Sequence, residues 1–218
     1  MLLTLVAREL HLAREGTAIT LAIAAAAIVA WLVGLYWIAI PCSILALAIA
    51  YFFRDPERAP ERVSNVVLSG ADGRVSDIGE ATLPGPPSSR FRRVAVFMSP
   101  LDVHVNRASV SGEVLSIEHT AGEFSAAFRD YASEHNERNA ILIQDADGRL
   151  HALIQIAGYL ARRIVCRLRP HDKIQAGERI GIIMFGSRVD HYLPLEYQVA
   201  VKLGDRVRAG ESVIGERA

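Results

Sequence analysis

The strongest constraint on this chain is a stretch without charge. Between Glu15 and Arg54 no Asp, Glu, Lys or Arg occurs, about 38 residues rich in Ala, Ile, Leu and Val and carrying Trp31, Tyr36 and Trp37. A membrane-spanning helix needs roughly 20 apolar residues, so one straight helix of this length would overshoot a bilayer. Two short helices turning near Gly34-Leu35-Tyr36 fit better, with Pro41 early in the second and the aromatics at an interface. A cleaved signal peptide fits poorly, because a second apolar half follows the first directly. A buried core hairpin and a shallow, non-spanning insertion are the competing readings. A spanning hairpin puts both flanks on one side. Those flanks carry Arg8 and Arg14 before it and Arg54, Arg58 and Arg62 after it. The excess of arginine then places both ends, and the rest of the chain, on the cytoplasmic side.

The rest of the 218 residues has room for one domain. Residues 1–54 are therefore assigned to the hairpin and 55–218 to a folded domain. Asp55-Pro56 breaks the helical pattern at the junction. Formal net charge is zero and the pI near 7.1, so no global field favours nucleic acid. Cys42 and Cys166 have no CxxC partners, which argues against a disulfide framework or a zinc site. From Val63 onward the pattern is β. Strands are expected over 66–69, 93–98, 110–117, 140–144, 151–156, 161–168 and 181–185, with a tight hairpin turn at Ala71-Asp72-Gly73. Residues 83–89, rich in proline and serine, read as a loop, and 124–133 as a helix. Ile174 to Gly181 is echoed by Val207 to Gly215, each a strand, an Ala-Gly turn and a strand. Such turns recur in flattened β-barrels of the biotinyl/lipoyl-carrier type. The fold class expected is thus mainly β (α+β), a flattened barrel-sandwich-like domain behind a helical hairpin. A carrier role lacks its lysine at a hairpin tip.

One step in the chain stands out chemically. The apolar run Gly181-Ile182-Ile183-Met184-Phe185 enters Gly186-Ser187, followed by Arg188-Val189-Asp190-His191-Tyr192. Glycine allows a sharp turn and leaves its carbonyl open to close approach. The hydroxyl one residue on is placed to attack that carbonyl, the geometry of an N-to-O acyl shift. A plain strand ending in a Gly-Ser turn has the same local pattern.

FFRDPER, ADGRV, SPLDVHVNR, HNERN, IAGYLARRIV and FGSRVDHYLP occur in this order between residue 52 and the C-terminal part of the chain. In that combination the chain resembles the short, pyruvoyl-dependent form of phosphatidylserine decarboxylase. The resemblance implies a precursor that cuts itself between Gly186 and Ser187. A β chain, 1–186, and an α chain, 187–218, would result. Ser187 would become the covalent pyruvoyl group, which forms a Schiff base with substrate. It further implies phosphatidylserine as substrate, the cell membrane as location, no added metal, and Asp72 as a group assisting self-cleavage. A homodimer is compatible with it.

The chemistry can be argued independently. Removing carbon dioxide from an α-amino acid leaves a carbanion that needs an electron sink. Pyridoxal phosphate would need a buried lysine, and Lys173 and Lys202, the two lysines of the chain, sit in polar turns. A ketone derived from the protein removes that need. Self-cleavage needs a base for Ser187. His104 is the best candidate, two residues after Asp102, so that both side chains would share a face of an extended strand. The long bacterial form carries a second histidine three residues after the first, where this chain has Arg107. His104 would then serve both steps, or His119 or His191 would help. Two rival functions stand beside this one. One is a pyruvoyl decarboxylase for a soluble amino acid, for which the apolar hairpin has no use. The other is a membrane-anchored β domain that binds without catalysis.

Overall fold

A computed structural model describes residues 11–83, 89–122, 136–158, 163–184 and 187–217. The chain divides into two compact units at Glu57/Arg58.

The first unit is a helical hairpin, α1 (Arg14–Leu32) and α2 (Tyr36–Phe52). The turn between them is a glycine stop. Gly34 takes φ 76°, Leu35 N–H donates to Ala30 O (2.9 Å), and Gly34 N–H donates to Trp31 O (3.3 Å). These two bonds satisfy carbonyls that the end of α1 would leave open. The ends of the hairpin are tied by Ala13 N–H to Phe53 O (2.7 Å) and Asp55 N–H to His11 O (2.6 Å). Small residues fill the inside: Gly16, Thr20, Ala27 and Ala30 of α1 and Ala39 and Ala46 of α2 are buried. Gly16 lies so close to the Phe53 ring that a Cβ there would collide with it. Most large apolar residues point outward, with Leu32, Trp37 and Leu47 more than two-thirds exposed, while Phe52 and Phe53 are buried at the base. Helix α1 is long and apolar enough to cross a membrane, and α2 is shorter.

The second unit is β. Its large antiparallel sheet contains β2 (Gly73–Thr82), β3 (Arg90–Met98), β5 (Gly112–Thr120), β6 (Arg138–Gln144), β7 (Leu150–Ala157), β9 (Lys173–Ile174), β11 (Ser187–Leu193) and β13 (Arg206–Val207), in the order β13-β2-β3-β11-β7-β6-β5-β9. A three-stranded sheet joins β4 (Val105–Arg107), β10 (Arg179–Ile183) and β8 (Ile164–Cys166) in the order β4-β10-β8. Another joins β1 (Val66–Leu68), β14 (Val213–Glu216) and β12 (Gln198–Val199) in the order β1-β14-β12. One core draws on all three sheets. Val94, Val96, Met98, Leu153 and Val189 of the large sheet meet Ile180 and Ile183 of β10 and Val67 and Ile214 of the β1-β14 pair. A smaller cluster, including Phe91, Ile154, Ile156 and Tyr192, covers the opposite face of the large sheet.

The mainly β fold class with an apolar N-terminal helix pair agrees with expectation. Three details differ or fall elsewhere. Ala71-Asp72-Gly73 is not a hairpin turn: β1 pairs with β14 and β2 pairs with β3, so the segment crosses from one sheet to another. Glycine is needed there because the Gly73 backbone packs directly on Phe97 O. The strand expected over 161–168 is short, Ile164–Cys166. The helix expected over 124–133 lies outside the described residues.

The sequence repeat is a structural one. Gly177 and Gly210 both have positive φ, 84° and 73°, and a Cβ on Gly210 would lie 3.2 Å from Gly177 Cα. Gly177 N–H donates to Ala108 O (2.9 Å), and Gly210 N–H donates to Ser69 O (2.8 Å). Ala176 N–H reaches Ser111 Oγ (2.9 Å), while Ala209 N–H reaches Asp72 Oδ1 (2.8 Å). Two copies of one turn therefore face each other, and Asp72 holds in one half the place that Ser111 holds in the other.

Candidate active site

Ser187 opens β11, which runs between β3 and β7 near the middle of the large sheet. It pairs with Met98 on one side and Ala157 on the other. It is fully buried, and its hydroxyl donates to Met98 Sδ at 3.3 Å. Side chains alternate along a strand. Ser187, Val189 and Leu193 thus face the main core, while Arg188, Asp190 and Tyr192 face the other side. Gly186 lies outside the described residues.

A row of amides lies beside the serine. Asn139 Nδ2 donates to Gln155 Oε1 (3.0 Å), and Gln155 Nε2 donates to Asn106 Oδ1 (2.9 Å). Asn106 Nδ2 then points at Met98 Sδ (3.7 Å), the sulfur that Ser187 also touches. All three amide residues are buried. The Cys166 thiol bonds to the Asn139 side chain at the far end, and burial pushes its pKa up. None of Met98, Asn106, Asn139 and Gln155 is a site residue by sequence reasoning. The available signal was a polar residue on the inward register of an apolar strand, as in His-Ala-Leu-Ile-Gln-Ile-Ala.

His104 is buried just before β4. Ile183 N–H, at the end of β10, donates to His104 O (3.3 Å). The histidine therefore stands beside the strand that leads into Gly186-Ser187, two residues from Asn106. Its Nδ1 is 2.9 Å from Asp102 O. A carbonyl only accepts, so Nδ1 carries the proton and Nε2 is the basic nitrogen. The expected sharing of a face by Asp102 and His104 takes a different form. The Asp102 carboxylate turns back to accept from Ser99 N–H (2.8 Å) and Ser99 Oγ–H (2.7 Å), stabilising the turn instead of the imidazole.

The other two histidines considered stand elsewhere. His119 is half-exposed on β5, 3.5 Å from Glu137, three strands from Ser187 in the sheet order. His191 is on β11 itself, but both its nitrogens are occupied. Gly70 N–H donates to Nε2 (2.7 Å), and Nδ1–H donates to Val94 O (3.0 Å). Full burial lowers its pKa to about 4, so it stays neutral and pins the 69–73 segment.

Asp72 belongs to that segment. Its carboxylate takes a two-pronged ion pair from Arg58 (2.5 and 2.8 Å), and Arg58 also donates to Ala209 O (2.9 Å). Asp72 precedes β2, and β2 and β11 flank β3 on opposite sides. Strands lie about 4.8 Å apart, so Gly73, the first residue of β2, is on a strand two spacings from the one that Ser187 opens. The structure thus brings His104 beside the strand entering the Gly-Ser step and leaves Asp72 in a turn held by Arg58.

The charged residues after Ser187 build the opposite face. Arg188 clasps Asp190 through Nε to Oδ1 (2.8 Å) and a terminal nitrogen to Oδ2 (3.0 Å), both residues buried. Burial pushes the Asp190 carboxyl up, against the pull of Arg188 and Arg93. Arg107, at the position where the long form has a second histidine, is buried and donates to Gly177 O (2.8 Å) between the paired turns. Both lysines are exposed.

A family model described as phosphatidylserine decarboxylase matches residues 45–215. A phosphatidylserine decarboxylase proenzyme of Syntrophus aciditrophicus is 44% identical over 179 residues, covering 82% of this chain and 84% of that protein. One from Chlorobium chlorochromatii is 42% identical over 187 residues, 85% and 84% of the two chains. One from Ruegeria pomeroyi is 46% identical over 169 residues, 76% and 77%.

Proposed function

This chain belongs to the phosphatidylserine decarboxylase family, and from that membership we propose a self-cleaving enzyme that converts phosphatidylserine to phosphatidylethanolamine. The observation that carries the reading is Ser187, fully buried on a central strand in the family's Gly-Ser step.

Maturation is assigned to Gly186-Ser187. Ser187 Oγ bonds to the Gly186 carbonyl carbon, the peptide C–N bond breaks, and the hydroxyl proton ends on the serine nitrogen. Loss of the Ser187 Cα proton to a base then expels Gly186 as a carboxylate. Hydrolysis of the dehydroalanine left behind takes up one water and releases ammonia. The surroundings suit the product: a thioether and a buried strand give a small ketone a dry, apolar seat, with no lysine needed. Such a ketone supplies the electron sink for loss of carbon dioxide.

His104 is assigned the proton work. Nε2 takes the Ser187 proton during maturation and passes it to the serine nitrogen; in each later turnover, protonated from water, it gives a proton to the substrate carbon that has lost carbon dioxide. Arg107 cannot do this, because a guanidinium stays charged. Asp72 is assigned a supporting part in maturation, since it and His191 hold the same segment over the sheet. The hairpin is assigned to the membrane with the β unit on the cytoplasmic side, supported by the outward apolar residues and the arginines at both ends.

Intact-mass measurement of the purified protein tests the reading. Two chains are expected, divided between Gly186 and Ser187, with a blocked N-terminus on the shorter. A single uncut chain that nonetheless releases carbon dioxide would overturn it.

A further inference from the structure

We propose that Asn106 is a positioning residue for self-cleavage, acting through the Met98 thioether to aim the Ser187 hydroxyl. The inference rests on the assignment of self-cleavage to Ser187.

The amide row has a direction. Gln155 is itself fixed by Asn139, and its Nε2–H turns the Asn106 oxygen toward β7. The Asn106 NH2 group is thereby committed to Met98 Sδ. Three buried amides are an expensive way to fill a core, because apolar residues of similar shape would pack there at little or no loss. What the row does achieve is to end, with a fixed sense, on the one sulfur that holds Ser187.

A methionine side chain has three rotatable bonds and adapts to its surroundings. An amide donor on the sulfur restricts that freedom. The sulfur then takes the Ser187 O–H at 3.3 Å, which fixes the hydroxyl rotor and turns the oxygen lone pairs away from the thioether. A thioether is a weak acceptor and does not take up the proton. It orients the hydroxyl, yet releases the hydrogen easily when a base withdraws it. The step affected is the acyl shift, in which Oγ–C forms, the peptide C–N bond breaks and the proton moves to nitrogen. Once Oγ has left the chain, the sulfur has no hydroxyl to aim, so decarboxylation is not expected to depend on Asn106.

The test follows the appearance of the short chain with time, in full-length protein made cell-free in the presence of phosphatidylcholine vesicles. Asn106→Leu and Met98→Leu are each expected to slow cleavage by about 10- to 100-fold, the scale of a mispositioned reacting group. The double variant is expected to be no slower than the slower single, because both remove one device. Carbon dioxide release per cleaved chain stays near wild type in Asn106→Leu. Met98→Leu conserves core volume, so it carries the test if Asn106→Leu fails to fold. Wild-type cleavage by Met98→Leu, or by a folded Asn106→Leu, overturns the proposal. So do effects that multiply in the double variant, or a matching fall in turnover per cleaved chain of Asn106→Leu. Absence of cleavage in the wild-type chain would instead strike at the reading of Ser187 itself.

Discussion

The two units bury opposite things. Along its length the hairpin hides glycine, threonine and alanine, with Phe52 and Phe53 buried at its base, and displays leucines, isoleucines and tryptophans. The β unit hides its large apolar residues and, among them, polar ones that include Ser187, His104, Asn106, Asn139 and Gln155. Water drives large apolar groups inward, so the β unit follows the rule expected of a domain in water. The hairpin inverts it, and close approach of small residues is how helices associate where lipid, not water, lies outside. Polar groups buried in the β unit must then have partners or a purpose. Those near Ser187 have partners, and the purpose proposed for them is self-cleavage.

The largest expected effect tests that purpose. Ser187→Ala should leave one uncut chain without decarboxylase activity, read on a denaturing gel and by carbon dioxide release. A split at the same bond in this variant would exclude the hydroxyl as nucleophile. Next, removal of residues 1–57 should move the protein from the membrane to the soluble fraction. Salt-resistant membrane binding after that deletion would end the contrast between the units. His104→Ala should lower carbon dioxide release per cleaved chain by about 100-fold or more, whereas Asp72→Asn should chiefly delay cleavage. Normal turnover per cleaved chain in the histidine variant would remove His104 from the decarboxylation step.

Smaller effects sharpen the comparison. Leu153, fully buried, should cost about 2–5 kcal/mol when changed to alanine. Leu47, 71% exposed on the hairpin, should cost within about 0.5 kcal/mol in detergent. Thermal or urea unfolding of uncut Ser187→Ala protein reads both. His191 gives a pH signature in the same background. Its folded pKa of about 4 lies below the ordinary 6.5, so the unfolded chain binds the proton more readily. The stability from its burial is complete above pH 6.5 and falls as pH drops toward 4, by roughly 3 kcal/mol. His191→Gln should flatten that part of the profile, and an unchanged slope would show that other groups set it.

Much of the architecture was legible because it rests on short-range rules. An uncharged run interrupted by Gly34 gives a hairpin, alternation gives strands, and the repeated Ala-Gly step gives the paired turns. The Asp72-Gly73 step was misread because a tight hairpin and a crossover between sheets use the same dipeptide. Only the distant partners β14 and β3 decide between them. The spacing of Asp102 and His104 predicts a shared face, but Ser99, only three residues before Asp102, takes the carboxylate into a turn. Asn106, Asn139 and Gln155 were invisible for a different reason. Each is an ordinary polar residue on its own strand, and only the order of the large sheet, with β4 packed on it, aligns them with Met98 and Ser187.

On the proposed cut before Ser187, the fold would also set the life history of the molecule. A cut before β11 assigns β11 to β14 to the shorter chain, yet β11 lies between β3 and β7 and β14 pairs with β1. The two products are woven into the same sheets, so each is the template on which the other is folded. The precursor assembles as one thread, with its pairing partners at fixed local concentration. After the cut the same assembly requires an encounter between two separate molecules, one of them only a few strands long. Maturation is therefore a one-way gate: an enzyme molecule that unfolds after it has no return path as a single chain. Its working lifetime is set by how slowly the woven sheets come apart, not by an equilibrium it can re-enter.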